Sequence, residues 1–133
     1  MGQGRAESND SFAPIMVAYR GASGLFAGLV LVQAVLAGQF LNGQSGLVAV
    51  HRTLGAQVLP LWSLVLVALA GFATGRRSVA VPTVLLVLTT LQTGLGFLGR
   101  GSLEAAAWHL PLGVAIFGLA VYQVAVGRRL RPS

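Results

Sequence analysis

Apolar positions dominate this chain in four long blocks. Gly21 to Leu41, Thr53 to Gly75, Val79 to Leu98 and Ala105 to Gly127 contain no Asp, Glu, Lys or Arg. A helix rising about 1.5 Å per residue needs about 20 residues to cross a bilayer's hydrocarbon, so each block predicts one membrane-spanning helix. Short polar turns separate them: Asn42 to Gly46, Gly75 to Ser78 and Gly99 to Ser102. The expected spans are 15–41, 48–75, 79–98 and 104–127, forming one domain between a polar tail at 1–14 and a basic tail at 128–133. Met1 to Ser11 is too polar for a signal-peptide core and is expected to fray. Pro82 falls in the first turn of the third span, where its missing N–H costs little, whereas Pro60 and Pro111 lie deeper and predict kinks. Gly24 with Gly28, Ala34 with Gly38 and Gly71 with Gly75 are small residues four apart, expected to let helices approach closely.

Composition agrees with this setting. Of 133 residues 55% are hydrophobic and only 9% charged, and the mean hydropathy is +0.78, outside the range of ordinary soluble domains. The fold class is therefore all-α, an integral membrane four-helix bundle in the cell membrane. With no cysteine, thiolate metal sites, iron–sulfur clusters and disulfides are excluded.

All nine cationic residues are arginines, and they are unevenly placed. Arg5, Arg20, Arg76, Arg77, Arg128, Arg129 and Arg131 belong to one side of the expected topology, Arg52 and Arg100 to the other. Positive charge collects in short cytoplasmic loops, so both termini are expected in the cytoplasm. The net charge of +6 is then a topological signal with an affinity for anionic lipid headgroups, and gives no support for nucleic-acid binding.

Two histidines carry the candidate chemistry. His51-Arg52-Thr53-Leu54-Gly55 and His109-Leu110-Pro111-Leu112-Gly113 share the pattern His-x-x-Leu-Gly, and a glutamine, Gln33 or Gln92, precedes each histidine by 18 or 17 positions. An ionisable side chain within a membrane span is costly and is a functional candidate by default. The matched spacing predicts two pseudo-symmetric helical hairpins, spans one and two repeated by spans three and four, with His51 and His109 as counterparts near the outer ends of spans two and four. One such histidine alone also fits a residue resting at the headgroup boundary. Two at equivalent positions point to one shared ligand.

Two neutral imidazoles on opposite helices are the axial ligand set of a six-coordinate b-type haem, whose apolar macrocycle suits a bundle interior. On that reading His51 and His109 bind the metal. Gly55 and Gly113, one turn further along each helix, clear space for the ring. Gln33 and Gln92 orient each imidazole through its second ring nitrogen. Arg52 and Arg100 neutralise the propionates, and Trp108 stacks on the ligand or anchors at the interface. Glutamines in spans also bond across helices, glycines also serve packing, and Gln57 and Gln123, which have no counterpart in the repeat, are assigned to packing. Tyr19, Tyr122 and Trp62 are expected as interface or core aromatics.

At these residues the chain resembles known proteins. The run from Gln33 to Gly38, His51 to Gly55, Leu91-Gln92 and Trp108 to Gly113 looks like a family of small four-helix membrane proteins frequent in actinobacteria and of unassigned function, over nearly all of residues 15 to 127. It also resembles one half of the haem A synthase fold, in which four-helix halves carry histidines at the outer ends of their second and fourth helices, often as His-Arg-x-x-Gly. That resemblance implies that His51 and His109 match the axial ligands of the cofactor half. The synthase also uses a second histidine pair and a catalytic outer-loop glutamate. Here the outer acid is Glu104, so synthase activity is implied only if two copies associate.

The expected function is a cytochrome b-like protein that holds one haem b and passes electrons near the outer face, with no catalytic residue singled out. The alternative is a non-catalytic accessory or structural subunit, docked through small-residue faces to a larger respiratory or redox complex. A quinone or another lipid in place of haem, and a homo-oligomer, stay open. A proton-coupled transporter fits poorly, because Glu7, Asp10 and Glu104 all lie outside the spans. The arginine distribution makes one direct prediction: reporters fused after Ser133 should read as cytoplasmic, and reporters within Gly99 to Ser102 as external. The reverse pattern would move both histidines to the cytoplasmic face.

Overall fold

The computed structural model describes the backbone of residues 3–74 and 79–129 and the side chains of 14–73 and 79–129. The turn expected at 75–78, with Gly75, Arg76 and Arg77, and the end of the basic tail, with Arg131, lie outside the described residues. All regular structure is helical. Helix α1 runs Gln3–Leu41, α2 Leu47–Thr53, α3 Leu59–Thr74, α4 Ala80–Leu98 and α5 Leu103–Gly127, and a π-helical turn at Leu54–Val58 joins α2 to α3 without a break. Four stretches are long and apolar enough to span a membrane: Pro14–Leu41, Leu47–Ala73, Ala80–Leu98 and Leu103–Gly127. Helix α1 extends back to Gln3, through the segment expected to fray.

Local chemistry explains the breaks. Gly43 adopts a φ of 95°, a left-handed conformation open to glycine at little cost, and turns the chain between α1 and α2. The Ser102 side chain caps α5 by accepting from the Ala105 amide at 3.2 Å, with Glu104 in the first turn near the positive helix end. The π-turn sits immediately before Pro60. In a π-turn the Gly55 carbonyl would accept from residue 60, but proline has no N–H to give. Thr93 Oγ1 on α4 lies 3.2 Å from the Gly55 carbonyl and 3.0 Å from the Thr89 carbonyl of its own helix, so its one proton is shared between the two. Helix α5 continues through Pro111.

The helices form a square. α1 packs on α3 and α5, and α4 packs on α3 and α5, whereas the diagonal pairs do not meet among the described residues. Cross-links fix the antiparallel directions: Trp62 Nε1 donates to the Ala22 carbonyl at 3.0 Å and Arg20 Nε to the Gly127 carbonyl at 3.0 Å. The core lies toward the Arg20 end. Tyr19, Phe26, Leu66, Ala70, Leu85 and Ala120 are buried there, while α2 and the π-turn contribute no buried residue. Two small polar clusters sit within this core. Ser63 Oγ lies 3.2 Å from Thr89 Oγ1, and Gln123 Nε2 donates to Ser23 Oγ at 3.0 Å, so Gln123 is a buried cross-helix linker.

The small-residue pairs do something other than expected. A Cβ at Gly24, Gly28 or Gly38 would meet nothing within 4 Å, so these glycines bring no two helices of this chain together and face outward instead. Gly71 faces Val79, whose Cγ1 would be 3.9 Å from such a Cβ.

Thr93 provides a test of the π-turn argument. Thr93→Val keeps the shape of the side chain but leaves the Gly55 carbonyl without a donor, and should lower stability by about 0.5–2 kcal/mol. Thr90→Val, at an exposed residue bonding only within its own helix, should change little. Thermal unfolding in detergent compares the two, and equal melting temperatures would refute the role given to Thr93.

Candidate functional site

Away from the core the four helices leave a cavity of about 580 Å³, within the range of sites that hold cofactors and other small ligands. Gln33, His51, Arg52, Gly55, Gln92, Arg100, His109 and Gly113 all line it. Of the residues expected at the site only Trp108 does not. It is 64% exposed on the outside of α5, away from the cavity lining. The remainder of the lining is mainly apolar, including Ala34, Ala37, Phe40, Leu59 and Phe117.

The histidines face each other across the bundle. His51 on α2 and His109 on α5 come from helices that do not pack together, yet their ring centroids are 6.3 Å apart with planes inclined by 58°. Two imidazoles bonded to opposite sides of one metal ion at about 2.0–2.1 Å have centroids about 6 Å apart. Among the described residues no three His, Cys, Asp or Glu side chains gather as a potential metal site.

Both glutamines reach their histidines, but by a different contact from the one expected. Gln33 Nε2 donates to the His51 carbonyl at 2.8 Å, and Gln92 Nε2 to the His109 carbonyl at 2.8 Å. The second ring nitrogen is not their target. Instead His51 Nδ1 lies 3.2 Å from the backbone carbonyl of Gln33, so residues 33 and 51 bond each other reciprocally. The reason is reach: a glutamine on the neighbouring helix, level with the histidine's backbone, meets the carbonyl before it meets a ring that projects onward into the cavity.

The two glycines are corrected in the same way. A Cβ at Gly55 would collide with Gln33 Nε2, and one at Gly113 would lie 3.2 Å from Gln92 Nε2. The space they clear is occupied by the amides. Gln33, Gly55 and the His51 carbonyl thus form one clasp, and Gln92, Gly113 and the His109 carbonyl a second of the same composition. Each clasp leaves an acceptor over, since Gln33 Oε1 and Gln92 Oε1 are buried without a partner, as is His109 Nδ1.

Two contacts were not foreseen. Phe40 meets the His51 ring edge to face at 5.3 Å, and a Cβ at Gly96 would lie 3.2 Å from His109 Cε1. Both follow from helical spacing, because Phe40 is two turns beyond Gln33 and Gly96 one turn beyond Gln92, on the same faces. At the mouth Arg52 and Arg100 are exposed, and the Arg100 guanidinium stands 5.0 Å from the Phe97 ring centroid, a cation–π distance.

Comparison with known protein families, with characterised proteins and with solved structures finds no match for this chain.

The clasp makes a double-mutant prediction. Gly55→Ala forces the Gln33 amide off its carbonyl, and Gln33→Ala removes the same bond, so the two changes together should cost less than their sum. The expected coupling is about 1 kcal/mol, within the usual span for contacting residues. Strict additivity in the unfolding of the apoprotein would show that Gly55 does not serve Gln33.

Proposed function

We propose that this chain is a membrane-embedded, cytochrome b-like protein that binds one haem b between His51 and His109 and transfers electrons near the outer face. The observation that carries the reading is the 6.3 Å separation of the two imidazoles inside an apolar cavity that both histidines line. The donor set fits. Two neutral nitrogen ligands complete six-coordination on a macrocycle, the lining suits an apolar ring, and Arg52 and Arg100 at the mouth offer charge to two carboxylates. A bound six-coordinate haem supplies one-electron chemistry. The chain does the rest: the clasps hold the turns that bear the histidines, Phe40 packs against the His51 ring, and the apolar wall limits water, which favours a low reorganisation cost on electron transfer.

The matched clasps support the repeat of two hairpins related about the membrane normal, and the arginine distribution supports cytoplasmic termini with the histidine end outward. The likeness to small actinobacterial four-helix proteins and to half of a haem A synthase belongs with this proposal, and synthase activity would require a second copy. A quinone headgroup in the same cavity is the competing occupant. The outward-facing Gly24, Gly28 and Gly38, which meet nothing in this chain, favour a second reading, an accessory subunit whose α1 packs against another helix of a larger complex or of a second copy.

Purified protein expressed with ample haem should show a sharp Soret band and, when reduced, the narrow α and β bands of a low-spin bis-histidine site. Replacing His51 or His109 by alanine should abolish that low-spin spectrum. A colourless protein that co-purifies with other membrane subunits would refute the haem reading and favour the accessory one.

A further inference from the structure

The cavity reaches the surface of the bundle on two sides, and the two rims differ in chemistry. The sequence offset of 58 that matches His51 with His109 also matches Arg52 with Leu110, and the offset of 59 that matches Gln33 with Gln92 also matches Leu41 with Arg100. All four of these residues line the cavity and all four are exposed. Leu41 of α1 and Leu110 of α5, with the exposed Leu31 and Val114, form an apolar rim. Arg52 of α2 and Arg100 beyond the end of α4 form a cationic one, next to the small Ala56 and Gly96. Among the described residues α2 and α4 do not pack together, so the cationic rim borders a gap between helices.

We propose that this gap is a binding site for an anionic phospholipid, its phosphate held by Arg52 and Arg100 and one acyl chain lying in the cavity. The depth is right for a headgroup. Arg52 is the sixth residue of α2, within about 9 Å of the helix end at 1.5 Å per residue, and Arg100 is two residues past the end of α4. Arginine stems extend from such positions to the headgroup level. The charge is uncompensated: among the described residues neither arginine has a carboxylate within ion-pair distance, and Arg100 Nε meets only the Phe97 carbonyl of its own turn, at 3.5 Å. Two guanidinium forks suit a phosphate. An apolar cavity open to hydrocarbon is filled by a chain, since lining atoms left without neighbours lose their dispersion contacts. Charge complementarity selects the headgroup, because each arginine near the surface favours an anionic lipid by about fivefold, whereas a zwitterionic one brings its own cation to the same place. The proposal does not rest on the haem reading. The two occupants would use the same cations and cavity and exclude each other, so the lipid belongs to the haem-free chain.

The test titrates the haem-free full chain in detergent with phosphatidylglycerol or phosphatidylcholine of identical acyl chains, and reads bound lipid by native mass spectrometry. One phosphatidylglycerol should bind at least about tenfold more tightly than phosphatidylcholine. Arg52→Gln and Arg100→Gln should each weaken it about fivefold and leave phosphatidylcholine unchanged, while Arg128→Gln, at an exposed cation beyond the other end of α5, should leave the tight site intact. Ala56→Phe, which fills the cavity beside the arginines without altering charge, should weaken both lipids. Equal affinity for the two lipids, or indifference to both Arg52→Gln and Arg100→Gln, would overturn the site. Displacement of phosphatidylglycerol by millimolar inorganic phosphate would reduce it to a simple anion site, and displacement by equimolar oleate would assign it to a fatty acid; either overturns the phospholipid. Haem uptake is measured separately, and its failure leaves the lipid result standing.

Discussion

A bilayer offers no hydrogen-bond partner, so every polar group carried into it must be met from within the bundle. Gln33 and Gln92 are the strongest instance. Each amide, placed well inside a span, finds the carbonyl of a histidine on the next helix at 2.8 Å, and a Cβ on the residue four beyond that histidine would collide with the Gln33 amide and crowd the Gln92 amide. The position of both histidines follows from this constraint. A side chain at Gly55 would push the Gln33 amide away and release the turn that carries His51.

The same constraint governs the middle of the second span. Pro60 deprives the turn before it of a donor, the helix widens into a π-turn, and Thr93 reaches over from α4 to bond the carbonyl left free. A helix irregularity beside a ligand cavity is thus tied to a neighbouring helix. Toward the other end further polar pairs form, Ser63 with Thr89 and Gln123 with Ser23, with Gln123 Oε1 left over, and large side chains such as Phe26 and Leu66 fill the interior. The bundle is closed at one end and open at the other, and the opening is lined by the residues with the most chemistry.

Much of this was legible in the sequence because its signals are periodic or expensive. Four uncharged blocks predict four spans, and histidine and glutamine, costly in hydrocarbon, mark the cavity that they line. Contact identity was not legible. Spacing brings Gln33 level with His51, but whether its amide meets the ring or the carbonyl depends on the direction in which each side chain leaves its helix, which spacing does not encode. Gly55 and Gly113 were correctly linked to their histidines, yet the volume they clear belongs to an amide. Gly24 and Gly28 have the spacing of a helix contact, but only the rotation of α1 about its axis reveals that they face outward. Trp108 follows the same logic: adjacent to His109 in sequence, it points roughly 100° away from it around the helix.

The unpaired atoms give the last step. Gln33 Oε1, Gln92 Oε1, Gln123 Oε1 and His109 Nδ1 are buried without a close partner among the described residues, whereas most buried polar atoms in a finished fold are paired. Gln33 and Gln92 each spend a donor on a histidine carbonyl, which leaves the acceptor over, so these two orphans are the direct consequence of the clasps. The His51 ring has the Gln33 carbonyl within 3.2 Å of Nδ1, and the His109 ring stands in the equivalent relation to the Gln92 backbone. A bundle built only for packing would gain by replacing these groups with apolar ones of similar shape, since a half-satisfied polar cluster is costlier than none. Three of these four atoms belong to residues that line the cavity and one, Gln123 Oε1, to the closed core, so the cost of half-satisfied polar groups is borne at both ends of the bundle and most heavily at the open one.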